Sequence, residues 1–116
     1  MKKIILPCLL FSLTLSSCYE KAKITIQNNV PNAVLQRINW DDYPIASSLL
    51  PGEKRTYTVD DAKSKFPKES VVKFYMKRGD NQVYLETKQI FTLNINDDIL
   101  IVISDTTQVV NPALLK

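Results

Sequence analysis

Three adjacent carboxylate pairs, Asp41-Asp42, Asp60-Asp61 and Asp97-Asp98, are the side chains of this chain most readily imagined doing chemistry. Two acids facing one cleft about 5 to 10 Å apart can share the work of glycoside hydrolysis. Acids at loop ends can instead hold calcium through oxygen, and Asp41, Asp42, Asp97 and Asp98 are the candidates for that. The bland alternative is stronger: in short turns an aspartate bonds its own backbone, so turns recruit it without any further role. Histidine is absent from all 116 residues, which removes the commonest general base and the commonest transition-metal ligand. The chain also lacks a G-x-S-x-G elbow, a phosphate loop and a dinucleotide fingerprint. The expectation is therefore no enzyme and no cofactor, with a carboxylate-based hydrolase as a distant third reading.

Contact chemistry is better represented. Tyr75 and Tyr84 fall on the polar phase of neighbouring strands and are expected to pair across a hairpin, away from the core. Together with Tyr43 they form the leading candidate for a partner-binding surface. Trp40 shares the apolar phase of Ile38 and is read as core. Arg78-Gly79-Asp80 spells an integrin-binding tripeptide, but Gly-Asp-Asn is also what a tight hairpin asks for, and the turn is the preferred reading.

Both cysteines, Cys8 and Cys18, lie in the first eighteen residues. Lys2 and Lys3 precede an apolar run from Ile4 to Leu15, the anatomy of a secretory signal. That run is too short for the roughly 20 residues a membrane-spanning helix needs. Leu15-Ser16-Ser17-Cys18 resembles the lipobox of bacterial lipoproteins, in which the cysteine thiol is acylated. By that resemblance residues 1–17 are a cleaved signal peptide and Cys18 carries the lipid, a palmitate-type anchor. Two or three chains on one cysteine hold firmly, where one holds marginally. Residues 18–21 are then a tether, and Cys8 leaves with the signal, so the mature chain has no disulfide.

The mature chain would hold 99 residues, one small domain, with 13 basic against 12 acidic side chains. That near balance is no footprint for nucleic acid. Punctuation every eight to twelve residues and an apolar period of 2 predict an all-β domain over 22–110, with 111–116 as a tail. Ala22, Ile24 and Ile26 alternate with polar residues up to Asn28-Asn29. AVLQRINW supplies a second strand, and Pro51-Gly52-Glu53 a type II turn. RGDN joins two strands, Val72–Lys77 and Gln82–Thr87. DILIVIS, Asp98 to Ser104, is apolar on both phases and so predicts a strand central in its sheet. About seven strands in an antiparallel, two-sheet β-sandwich are expected.

The segments IQNN, Trp40 and SLLPGEKRTYTV, within residues 22–60, resemble small lipoproteins of gut and oral Bacteroidota. That resemblance implies an immunoglobulin-like or fibronectin-like sandwich of unassigned function. Asp105-Thr106-Thr107 is similar to the acceptor of the general O-glycosylation pathway of those bacteria, which would make Thr106 a glycosylation site. The leading expectation is a lipid-anchored, non-catalytic binding or accessory module of the cell envelope, on the outer membrane, with an envelope protein or a glycan as partner. A structural or assembly subunit of an envelope complex is the alternative.

Overall fold

The computed structural model describes residues 21–60 and 66–114. The expected signal peptide, Cys18 and most of the tether lie outside the described residues, as does Asp61. The described chain is all-β. Its strands are β1 (Ala22–Asn29), β2 (Val34–Trp40), β3 (Tyr43–Leu49), β4 (Lys54–Val59), β5 (Lys68–Ser70), β6 (Val72–Arg78), β7 (Asn81–Thr87), β8 (Phe91–Leu93), β9 (Asp98–Ser104) and β10 (Val109–Val110). A single 3-10 turn, Pro112–Leu114, follows. Among the described residues ten strands stand where about seven were expected, and three of them, β5, β8 and β10, have only two or three residues each.

The strands form a five-stranded antiparallel sheet in the order β10-β7-β6-β2-β3, a three-stranded sheet β9-β1-β4, and a small β5-β8 pair. The inner faces of the two larger sheets close on one core, an arrangement consistent with a β-sandwich. Ile24 and Ile26 of β1, Leu35, Ile38 and Trp40 of β2, Leu49 of β3, Phe74 of β6 and Ile103 of β9 are all buried there. The period-2 pattern of β1 is fully realised, since Ala22, Ile24, Ile26 and Asn28 point inward and Lys23 and Asn29 outward.

Two features depart from the antiparallel expectation. β9 runs parallel to β1, with Leu100 opposite Thr25 and Val102 opposite Gln27. Among the described residues β9 is also an edge strand, not a central one. Its second apolar phase is therefore left in solvent, with Leu100 56% and Val102 39% exposed, while Ile101 and Ile103 fill the core. Apolar residues on both faces told correctly that the strand is apolar throughout, but burial of one face comes from the partner sheet alone.

Asn28 is the polar residue most deeply placed in this core. Its side-chain amide donates to the carbonyls of Ala33 and Leu49, each at 2.9 Å, and its carbonyl accepts the Val30 N–H at 2.9 Å. Its backbone also receives the turn at Pro51-Gly52: Gly52 N–H donates to Asn28 O at 2.6 Å, and Asn28 N–H to Glu53 O at 2.9 Å. Gly52 takes φ 90°, as the i+2 position of that turn demands. Glu53 closes it by accepting the Leu50 N–H at 2.7 Å on Oε1.

Candidate functional site

The outer face of the five-stranded sheet carries the clearest constellation. Directly paired residues share a face, and the pairing Ser48–Gln36–Tyr75–Tyr84 makes one transverse row across β3, β2, β6 and β7. The two tyrosine rings lie 5.2 Å apart at 53°, a tilted pair. Tyr84 donates its hydroxyl to Glu86 Oε2 at 2.8 Å. Burial raises the Tyr84 pKa first, and the Glu86 bond and charge add to it, so that it is pushed up to about 12. The phenol thus stays a neutral donor throughout the physiological range.

β2 is irregular at this point, and the irregularity helps build the site. Its register against β6 shifts between Gln36 and Asn39, one residue more on β2 than on its neighbour. Arg37 sits in that bulge with φ 52°, the left-handed region. Its guanidinium carbon lies 5.4 Å from the centroid of the Tyr75 ring, within cation–π range. Beyond it Gln82 Nε2 donates to Gln36 Oε1 at 2.9 Å, spanning from β7 to β2 over the intervening strand. The face therefore presents an aromatic pair ringed by a guanidinium, two amides and a carboxylate.

Tyr43 is not part of this face. It stands directly opposite Trp40 across a two-residue turn, so it shares the inward phase of Trp40. Its ring stacks on Trp40 at 6.3 Å and 13° and meets Tyr57 at 5.5 Å, and Lys68 Nζ lies 5.6 Å from its centroid. Trp40 itself is fully buried and donates its indole N–H to Ser70 O at 3.2 Å.

Two of the candidate acids, Asp41 and Asp97, serve local turns. Asp41 holds the β2–β3 turn with φ 56° and lies 3.7 Å from Lys68 Nζ. Asp97 accepts the Asn94 backbone N–H at 2.8 Å and its side-chain amide at 3.2 Å, tying the turn before β9. Asp42 and Asp98 are exposed. Among the described residues no group of three or more acids, histidines or cysteines is placed to share a metal ion. Thr106 is exposed in the turn after β9, with its hydroxyl 2.9 Å from that of Ser104. Arg78 ends β6 and pairs with Asn81, leaving Gly79-Asp80 as an exposed two-residue turn in which Gly79 takes φ 61°.

A second concavity lies at the free edge of β9. It has a volume of about 640 Å³, with Leu100, Ile101 and Val102 on one wall and Lys88, Gln89 and Phe91 on the other. Sequence reasoning missed both this groove and Arg37. An unpaired edge and a left-handed residue each depend on pairing, which no single segment reveals. In comparisons with known proteins the chain matches no family model, no curated protein and no solved structure.

Proposed function

We propose that this chain is a lipid-anchored lipoprotein of the bacterial cell envelope that works by contact and not by catalysis. The reading places an acylated Cys18 at the start of the mature protein, in the outer membrane, ahead of an immunoglobulin-like sandwich of the kind the resemblance to Bacteroidota lipoproteins implies. The observation that carries the binding role is the outer face of the five-stranded sheet, where Tyr75 and Tyr84 pair beneath Arg37. An aromatic floor bordered by amide, guanidinium and carboxylate groups suits a hydroxyl-rich ligand, which stacks on a ring and exchanges hydrogen bonds around it. A glycan of the envelope is therefore the ligand class that fits best.

The test is binding of the full-length, detergent-solubilised protein to an array of bacterial and host glycans. Tyr75→Ser combined with Tyr84→Ser, two partly exposed positions outside the core, is expected to abolish array signals while leaving the melting transition in place. Equal signals from wild type and the double variant remove this face from the function. Assembly into an envelope complex is the second reading, favoured by the free edge of β9.

A further inference from the structure

The edge of β9 is built in a way that soluble proteins ordinarily avoid. Exposed edges are usually blunted by lysine, proline, a bulge or a very short strand, because unpaired N–H and C=O groups template another chain. β9 runs for seven residues, Asp98–Ser104, in unbroken register with β1. Between Asp98 and Ser104 it holds only Ile, Leu and Val.

The direction of its backbone groups follows from the pairing. Asp97 O accepts the Lys23 N–H of β1's side, so the odd-numbered residues of β9 address β1. Thr107 lies on the opposite side: Ser104 N–H donates to Thr107 Oγ1 at 2.8 Å, and Thr107 N–H to Ser104 O at 3.2 Å. In a strand, the N–H and C=O of one residue point the same way and alternate with those of the next. Leu100 and Val102 therefore turn their N–H and C=O groups away from β1, into the groove of about 640 Å³. Thr107 closes the Ser104 end, and its hydroxyl reaches Val102 O only at 3.5 Å.

The groove has a second wall. Lys88, Gln89 and Phe91, on the connection out of β7 and the start of β8, face β9 across it. A two-walled slot admits one extended chain more readily than the edge of a second sheet. The N–H groups of Leu100 and Val102 and the C=O of Leu100 repeat at the spacing of a strand, which an extended peptide matches group for group, whereas a lipid chain has no donors or acceptors to offer and a glycan does not repeat them at that spacing. Lys88 is the one charged side chain among the described residues lining the slot, so the complementary charge on the occupant is acidic.

We infer that the β9 edge is a strand-acceptor groove, which takes an extended segment of a partner protein, apolar at alternate positions and carrying a carboxylate that meets Lys88. This is β-augmentation, in which main-chain bonds supply affinity and side-chain pockets supply selectivity. The inference rests on the assembly reading and is independent of the tyrosine face.

The test uses full-length protein in detergent, immobilised against a phage-displayed library of random nine-residue peptides. Enriched peptides are expected to alternate β-branched and polar residues and to carry Asp or Glu. A synthetic copy of the leading peptide is expected to slow hydrogen exchange at the Leu100 and Val102 amides. Val102→Pro deletes an N–H that β1 does not use, at an edge position that tolerates proline. It is expected to weaken the peptide at least tenfold with the melting transition retained. Lys88→Glu, on an exposed connection, is expected to do the same and serves if Val102→Pro fails to fold. Absence of any enriched peptide, or equal binding to the folded variants, overturns the groove. So does self-association of the wild type that protects those amides without peptide, since it would assign the edge to a second copy. An envelope protein that binds wild type and Val102→Pro alike also overturns strand pairing, while leaving the assembly reading standing.

Discussion

Asn28 and Leu49 are joined by a 2.9 Å hydrogen bond from a fully buried side-chain amide to a backbone carbonyl, and that bond ties the end of β1 to the end of β3. The same amide holds Ala33 O, and the Asn28 carbonyl holds Val30 N–H, so every polar atom of the side chain is used. The IQNN and LPGE segments, more than twenty residues apart, thus meet at a single residue.

Replacing Asn28 by Leu, of similar size, would leave two carbonyls and one N–H buried without partners. Each such group costs about 1 to 3 kcal/mol, and neighbouring costs do not simply add. The expected loss is about 3 kcal/mol, read as a lower denaturation midpoint at unchanged slope. A variant as stable as wild type would mean that the turn at Pro51-Gly52 holds without Asn28.

Trp40→Ala tests the other end of the core. The indole is fully buried, stacks on Tyr43 and donates to Ser70 O. Deleting a buried tryptophan costs about 3 to 5 kcal/mol, a large share of the about 5 to 15 kcal/mol available to a domain of this kind. The cooperative transition on heating is expected to fall sharply or vanish. Tyr43→Ala is expected to be milder, because Tyr43 is only partly buried at the rim of the same cluster.

Much of this architecture was legible because alternation is local. β1, the hairpin of β6 and β7, the inward Trp40 and the outward Tyr75 and Tyr84 all follow from a period of 2. What was not legible depended on pairing. The bulge at Arg37 slips the phase of β2 by one residue, and only the register with β6 shows it. Tyr43, after Asp41-Asp42, reads as part of a surface shared with Tyr75 and Tyr84. Asp41 and Asp42 instead make a tight turn, which returns Tyr43 beside Trp40 on the same face. DILIVIS reads as central because nothing in its own residues reports whether a neighbour lies on its second edge.

Acylation of Cys18 is the prediction on which the envelope reading depends. Cys18→Ala removes the only thiol that the lipobox resemblance offers for acylation. Metabolic labelling with an alkyne analogue of palmitate is expected to mark the wild type and not the variant, and the variant is expected to accumulate as unprocessed precursor. Equal labelling of both would remove the lipoprotein reading.

The titration of Tyr84 ties the proposed binding face to a measurable number. Its pKa is raised from the ordinary 10.0 to about 12, first by burial and then by the hydrogen bond and charge of Glu86. Between about pH 10 and pH 12 the unfolded chain has released a proton that the folded chain still holds. Stability therefore falls with rising pH across that window, and this contribution is intact below pH 10. Phenolate absorbance should show a component titrating near pH 12, and Tyr84→Phe should remove it. Glu86→Gln takes away the charge and the charged acceptor but not the burial, so it should move the titration only part of the way back toward 10. A Tyr84 that ionises at the ordinary pH in wild type would mean that its hydroxyl faces water instead of Glu86, and the face around Tyr75 would be more open than the structure has it.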